Sequence, residues 1–296
     1  MTSPNILFTI NGNSHSVGSQ TVNLTEDRGL AYGHGLFETI LFSQSALPLI
    51  DRHLLRLIPD SHLLGISLQS GDVQHYLNLF LEALSDQSIT DGVIKIMVTA
   101  GSGGRGYKMP DTIIPSLIFS YNPLPEDTAK HRKQGVDVRL CEHFIGNGST
   151  LAGIKHLNRL DQVIARSEWS HNKYADGIML SVNGDVVEAT SANIFVKTKV
   201  GEWITPTLDQ SGVSGVMRGL LIDRIFPACD LSVSEASLTL DELLMSQQIL
   251  LCNSVKGILR VNSVSSATDK QLLALPSDHQ SLMLCEKLME LYPHYQ

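Results

Sequence analysis

Apolar residues recur along this chain at two spacings, one suited to strands and one to helices, and their alternation predicts a mixed α/β protein. Leu36 to Phe42, Val93 to Thr99 and Ile113 to Tyr121 are short runs rich in β-branched and aromatic residues, and they read as strands. Ile6 to Ile10 and Ser16 to Leu24 flank Asn11-Gly12, a dipeptide that accepts the positive φ of a tight turn, so a hairpin is expected there. A short strand is expected at Leu47 to Ile50. From Asp51 the spacing of Leu54, Leu55, Ile58 and Leu63 is helical, with Pro59 expected to break or kink the helix. Asp72 to Leu84 is a second amphipathic helix.

Tyr121-Asn122-Pro123-Leu124-Pro125-Glu126-Asp127 has the composition of a linker. It divides the sequence into an N-terminal α/β domain over 1–121, a linker over 122–130 and a C-terminal α/β domain over 131–296. In the second part Val136 to Cys141 is an expected strand and Leu157 to Trp169 an expected helix. Gly177 to Val182 and Val186 to Glu188 flank Asn183-Gly184 and form the clearest hairpin. Further strands are expected near Ala192 to Val196, Glu202 to Thr205, Leu231 to Val233 and Ile249 to Cys252. Val213 to Phe226 and Asp269 to Tyr292 read as helices, the latter interrupted at Pro276.

The composition changes this picture only by exclusion. With 296 residues, 43% of them apolar and 18% charged, the chain can bury a sizeable core. A formal charge of -8 disfavours a nucleic-acid or anionic-membrane surface and leaves a small-molecule partner. The start has no basic segment followed by a long apolar one, and no stretch approaches a spanning helix, so a soluble, cytoplasmic protein is expected. Cys141, Cys229, Cys252 and Cys285 form no Cys-x-x-Cys pair and are expected as reduced thiols. No His-Glu-x-x-His pattern supports a metal site.

Three segments carry candidate chemistry. Lys155 follows the small and apolar Leu151-Ala152-Gly153-Ile154, a setting compatible with partial burial; its bland alternative is a solvated surface lysine. Glu188 ends the second arm of the clearest hairpin, where the alternative is a solvated strand-end carboxylate. Gly212, Ser214 and Gly215 lead into a helix whose first amides suit an anion, against simple helix capping. Asn193 reads as a turn residue tying down its loop, and Arg56 and Ser254 as further anion donors. An amine, a carboxylate and a set of amide donors are what a pyridoxal 5'-phosphate site needs. Gly101-Ser102-Gly103-Gly104-Arg105-Gly106 satisfies G-x-G-x-x-G, but Tyr107 to Thr112 offers no helix to receive a pyrophosphate. A flexible loop placing Arg105 over an anionic substrate fits better.

From about Glu26 to Val264 these segments resemble the fold-type IV pyridoxal phosphate enzymes, which include branched-chain and D-amino acid aminotransferases and aminodeoxychorismate lyases. Asp27 to Thr39 resembles the family's N-terminal signature. Gly101 to Tyr107, Leu151 to Leu160, and Thr205-Pro206 with Asp209 to Val213 look most like the lyases. The resemblance implies a two-domain α/β (α+β) fold with the cofactor in the interdomain cleft of a homodimer. It implies Lys155 as the Schiff-base lysine, Glu188 as partner of the pyridine nitrogen, and Arg56, the amides of Val216 and Met217, and Ser254 as phosphate ligands. Met217 stands where relatives have threonine and offers only its amide. Val255 and Lys256 differ from the small residues of many aminotransferases. Thr39, glycine in typical branched-chain enzymes, is expected near the substrate in a catalytic role, with Phe37 and Arg105 as substrate contacts. The implied activity is formation of 4-aminobenzoate and pyruvate from 4-amino-4-deoxychorismate in folate synthesis. The alternatives are an aminotransferase of the same fold and a binding protein that lost catalysis.

Overall fold

A computed structural model describes residues 5–10, 13–16, 25–148 and 150–296. The chain is mixed α/β with two sheets and separates into two units: the residues up to Leu124 with Lys155–Asn158, and Pro125–Ile154 with Arg159–Gln296.

The first unit contains β1 (Asn5–Ile10), β2 (Asn13–Ser16), α1 (Arg28–Tyr32), β3 (Gly35–Phe42), α2 (Ile50–Leu63), α3 (Ser70–Asp86), β4 (Gly92–Thr99) and β5 (Ser116–Asn122). Its sheet has the order β2-β1-β5-β4-β3, with β1 and β5 parallel and the other pairs antiparallel. The open edge of β3 is covered by the segment 155–157. Leu36 bridges His156, the Phe37 N–H donates to Lys155 C=O at 3.1 Å, and the Leu157 N–H donates to Gly35 C=O at 2.9 Å. Alternation sorts the strand residues by face. Leu36, Glu38 and Ile40 of β3, with Ile94, Ile96 and Val98 of β4, are buried. This face packs against α2 and α3, which contribute Leu54, Leu57, Leu77, Phe80 and Leu84. Phe8, Phe80 and Phe119 meet with centroids 5.0 to 5.8 Å apart. Phe37 and Thr39, with Lys95 and Met97, lie half-buried on the opposite face.

The strands expected at Leu36 to Phe42 and Val93 to Thr99 are present; three other expectations change. Leu47 to Ile50 is not a strand, since Pro48 removes a ladder donor and Ile50 opens α2. Pro59 does not break α2. It offers no N–H to the carbonyl of Leu55, and Leu55 is 75% exposed, so the lost bond falls on the solvent side of the helix. The third strand starts at Ser116, after Pro115. Asn11-Gly12 and residues 17–24 lie outside the described residues, but β1 and β2 pair in the register of a two-residue hairpin, Ile10 opposite Asn13.

The second unit runs α4 (Thr128–Gln134), β6 (Val136–Ile145), α5 (Leu160–Arg166), β7 (Asp176–Ser181), β8 (Val186–Ala189), β9 (Asn193–Lys197) and β10 (Trp203–Pro206). Next come α6 (Val216–Leu220), a π-helical turn (Leu221–Ile225) and α7 (Phe226–Ala228), a stretch helical throughout. The chain continues through β11 (Val233–Ala236), α8 (Leu240–Leu244), β12 (Gln248–Asn253), β13 (Gly257–Ser265), β14 (Gln271–Ala274) and α9 (His279–Leu291). Among the described residues the sheet order is β11-β10-β9-β12-β13-β6-β7-β8, with β14 added to β13. Val138, Ile178, Ile194, Val196, Ile249 and Leu251 are the centre of its core.

The helix expected from Leu157 to Trp169 is confined to α5, because Leu157 is taken by the edge of β3. The helix expected from Asp269 splits. Gln271–Ala274 pairs with β13 instead, and α9 starts only after Pro276, with the Asp278 side chain accepting from the Gln280 N–H. The four cysteines are free thiols, with Cys285 alone only partly buried. Among the described residues no helix is long and apolar enough to cross a membrane.

Candidate active site

In the first unit, Lys155 sits opposite Phe37 across the β3 edge, and its Nζ lies 4.2 Å from the Phe37 ring centroid. Main-chain hydrogen bonds thus fix where this lysine starts, and the aromatic face fixes where its ammonium ends. Thr39 follows on the same face of β3, with Lys95 as its partner on β4. The Lys95 Nζ also lies over the Phe37 ring, 4.9 Å from its centroid. Burial pushes the Lys95 pKa down. Lysine, phenylalanine and threonine expected at the site are therefore brought together, and a second lysine joins them.

Arg56 belongs to the helix-facing side of the same sheet. Its Nε donates to Glu38 Oε1 at 2.8 Å and its Nη2 to Oε2 at 2.5 Å, while His53 Nδ1 lies 2.6 Å from Oε2. Burial alone would raise the Glu38 pKa. The Arg56 and His53 charges and hydrogen bonds overcome it and hold the carboxyl at about 2. Glu38 is thereby the group that orients Arg56. The glycine-rich loop is held differently. Arg28, only 3% exposed, donates to the carbonyls of Gly103, Gly106, Tyr107 and Lys108. Arg105 projects from this loop into solvent. No helix follows Tyr107 to Thr112, which removes the dinucleotide alternative.

In the second unit Glu188 is 4% exposed, so the solvated strand-end alternative is overturned. Its Oε2 accepts the Val213 N–H at 2.9 Å, and the side-chain amides of Asn193 and Gln162 stand 3.5 Å from its two oxygens. Asn193 lies in β9 rather than in a turn, and its Nδ2 donates to Val213 C=O at 2.8 Å. Both backbone groups of Val213 are held, one by each residue. The same loop receives the Gly153 N–H at Gly212 C=O and donates the Ser214 N–H to Gly153 C=O. At Gly215 a Cβ would fall 1.8 Å from Asn193 Oδ1, so this close approach requires glycine.

The helix beyond Gly215 makes its first i to i-4 bond from the Gly219 N–H to Gly215 C=O. The amides of Val216 and Met217 precede it and suit an anion. Gly215 offers no capping side chain, against the simple capping alternative, and the Met217 side chain is buried in the core. Ser254 lies in the turn after β12, where the Asn253 Oδ1 accepts the amides of Val255 and Lys256. Asn253 Nδ2 donates to Ser191 C=O, and Tyr295 Oη donates to Ser254 C=O. Asp176 accepts from the hydroxyls of Thr190 and Ser191, which fixes the loop between Glu188 and Asn193.

Compared with known protein families, residues 35–264 match the model for amino-transferase class IV. The chain belongs to the class IV aminotransferase family. A class IV relative from Vibrio harveyi, an aminodeoxychorismate lyase, is 33% identical over 82% of this chain and 88% of its own. The crystal structure of 4-amino-4-deoxychorismate lyase from Pseudomonas aeruginosa is 35% identical and superimposes with a TM-score of 0.83 over 93% of this chain and 96% of that one. A putative branched-chain-amino-acid aminotransferase of Methanocaldococcus jannaschii is 27% identical over 79% of this chain and 80% of its own.

Four residues of this class IV chain carry no clear signal in the sequence: Arg28, Glu38, Lys95 and Asp176. Glu38 leaves a trace in the strand parity, as a charged residue in step with the buried Leu36 and Ile40. The carbonyl targets of Arg28 and the cross-strand position of Lys95 leave none.

Proposed function

We propose that this chain is a pyridoxal phosphate-dependent lyase that converts 4-amino-4-deoxychorismate into 4-aminobenzoate and pyruvate, a step of folate synthesis. The observation that carries this reading is the placement of Lys155 on the same sheet face as the Thr39 hydroxyl, in a chain 33% and 35% identical to two lyases.

The donor set fits the cofactor. The amides of Val216 and Met217 stand ahead of the first helical bond, Gly215 before them admits the close approach of Asn193, and Glu188 is a buried carboxylate held by the Val213 N–H. Val216, Met217, Ser254 and Arg56 hold the phosphate in this reading, and Glu188 keeps the ring nitrogen protonated. When bound, pyridoxal phosphate supplies an aldehyde that captures amines and a conjugated ring that accepts an electron pair.

Lys155 would be the residue that holds the cofactor's aldehyde covalently when no substrate is bound. Its freed Nζ then takes the proton from the amine-bearing ring carbon. Departure of the enolpyruvyl oxygen from the neighbouring carbon leaves an aromatic ring, which makes the elimination strongly downhill. Lys155, now protonated, returns the proton to the departing group, and the Thr39 hydroxyl orients that transfer. The Phe37 ring supports the substrate, and Arg105 approaches one of its carboxylates from the glycine loop. No 2-oxo acid enters this cycle.

Purified protein supplied with chorismate, glutamine and an aminodeoxychorismate synthase is therefore expected to release 4-aminobenzoate at a rate indifferent to added 2-oxoglutarate. Absence of 4-aminobenzoate from cofactor-loaded protein, with glutamate formed from an amino acid and 2-oxoglutarate, would replace the lyase by an aminotransferase. The enzyme works as a homodimer in this reading. Leu160, Val163 and Ile164 support it, forming an apolar stripe on α5 that is 73%, 59% and 48% exposed. Sedimentation velocity at micromolar protein is expected to give twice the chain mass, and a monomer carrying full activity would refute the dimer.

A further inference from the structure

Ser254, Val255 and Lys256 form the loop that joins β12 to β13, with Asn253 opposite Gly257 at its base. Loops that run over a surface ordinarily leave their main-chain groups to water. Here side chains take five of them, two N–H and three C=O. Asn253 Oδ1 accepts the Val255 and Lys256 N–H groups at 3.0 and 2.7 Å. Tyr295 Oη donates to the Ser254 carbonyl at 2.7 Å, and Arg132 donates from Nη2 to the Val255 carbonyl and from Nε to the Lys256 carbonyl, both at 2.9 Å. The peptide plane between Ser254 and Val255 is therefore held at both ends, by Tyr295 and Asn253. The next plane is held likewise by Arg132 and Asn253.

The residues that hold the loop are themselves fixed. Arg132 lies on α4, its Nη1 donates to the Gln296 main-chain oxygen at 3.1 Å, and its guanidinium carbon lies 5.4 Å from the Tyr295 ring centroid. Tyr295 is 2% exposed. Its ring packs against the base of the hairpin, where a Cβ on Gly257, at φ +72°, would fall 3.0 Å from Tyr295 Cδ1. Burial pushes the Tyr295 hydroxyl pKa up, with Arg132 opposing, so the group stays a neutral donor. At the other end, Asn253 Nδ2 donates to the Ser191 carbonyl at 3.1 Å, and the Ser191 hydroxyl donates to the buried Asp176. Packing alone would use the ring of Tyr295 and the stem of Arg132. It does not account for three polar atoms converging on successive carbonyls of one short loop.

We propose that Tyr295 and Arg132 are positioning residues of the cofactor phosphate site: by holding the carbonyls of this loop they fix the main chain from which the Ser254 hydroxyl is aimed. This role rests on the reading in which Ser254 is a phosphate ligand. A serine hydroxyl has only χ1 with which to choose its direction, so its reach is set by the peptide planes on either side. A binding group has to be held to within about 0.5 Å of its working position, and a loop left to water does not supply that. Tyr295 and Arg132 act through Ser254 and touch no cofactor in this reading.

Dissociation constants of pyridoxal 5'-phosphate and of pyridoxal, which lacks the phosphate, test this on the whole chain freed of cofactor. The proteins compared are wild type, Ser254→Ala, Tyr295→Phe, Arg132→Lys and the double variant Ser254→Ala with Tyr295→Phe. Ser254→Ala is expected to bind pyridoxal 5'-phosphate roughly 10- to 100-fold more weakly, the loss of a hydrogen bond to a charged group. Tyr295→Phe and Arg132→Lys are each expected to weaken it roughly 2- to 10-fold, the range of one ordinary hydrogen bond, with pyridoxal binding unchanged. In the Ser254→Ala background Tyr295→Phe should bring no further loss, because it acts through that hydroxyl. Wild-type affinity in Tyr295→Phe and Arg132→Lys, beside a weakened Ser254→Ala, overturns the proposal and spares the cofactor reading. An equal loss for pyridoxal, or losses that add in the double variant, marks a purely structural role and overturns it too. Ser254→Ala with wild-type affinity strikes Ser254 from the phosphate ligands, and the proposal with it. Wild type that holds pyridoxal 5'-phosphate no better than pyridoxal removes the phosphate site itself and this role together.

Discussion

Lys155→Ala is expected to slow the release of 4-aminobenzoate, measured as kcat/KM, by at least roughly 10²- to 10⁴-fold, the span contributed by one positioned proton-transfer group. Loss of the covalent hold on the cofactor adds to that span. The fold should survive, because the segment pairs with β3 through main-chain groups, Phe37 N–H to Lys155 C=O and Leu157 N–H to Gly35 C=O. Removing the half-buried side chain leaves both bonds in place, and the expected change in stability is about 1 kcal/mol, the centre of the range for single substitutions. Lys155→Arg separates charge from chemistry. It keeps a cation above Phe37, yet its guanidinium stays protonated and cannot accept a proton. Both variants should fail alike, and borohydride should fix the cofactor to the wild-type chain only. A Lys155→Ala enzyme that binds cofactor and keeps a tenth of wild-type turnover would remove Lys155 from the chemistry.

The parts of this molecule that are legible in the sequence are those encoded by local patterns. The strand from Leu36 to Phe42 announces itself by composition, and the loop from Ser211 to Gly215 by glycine and serine ahead of an apolar helix. Lys155 is legible through the small residues before it. Its surroundings are not, because the residues after it have the spacing of a helix start, whereas they complete the edge of β3, more than 100 positions earlier. Edge pairing depends on where an open strand lies, and no local spacing reports that. The placement of Lys95 needs the register of β3 on β4, which sets it opposite Thr39 across a connection containing α2 and α3. Proline explains two of the misplaced boundaries. Pro48 stops a strand that the apolar run suggests, while Pro59 is tolerated because Leu55 faces water.

The largest stability effect is expected from the buried carboxylate that local sequence patterns conceal. Glu38→Gln leaves the Arg56 guanidinium, 11% exposed, and His53, 1% exposed, without their shared anion. Breaking one partner of a buried charge cluster costs about 3–5 kcal/mol, a large share of the roughly 5–15 kcal/mol that holds a typical protein folded. The cluster also writes a pH dependence. Glu38 has its folded pKa depressed from 4.5 to about 2, so its contribution is complete above pH 4.5 and is lost as pH falls toward 2. That interval corresponds to about 3 kcal/mol. Asp60, on α2 beside the cluster, acts with the opposite sign. Burial raises its pKa from 3.8 to about 6, with Arg56 opposing and Glu38 assisting the rise. The folded chain therefore holds an extra proton between those values, so this group's contribution falls as pH rises from 3.8 to about 6 and stays constant above it. These two groups together predict urea midpoints that rise as pH falls from about 6 to 4.5, level off to about 3.8 where the two slopes cancel, and fall below that. Asp60→Asn should flatten the upper limb and leave the lower one. Glu38→Gln should lower the whole curve and also let Arg56 pair more strongly with Asp60, which pulls the Asp60 pKa down and shrinks the upper limb too. A double-mutant cycle on the two carboxyls would read that coupling directly. Midpoints unchanged by Glu38→Gln at pH 7 would mean that Arg56 and His53 find other anions, and Glu38 would lose its place as the group that orients Arg56.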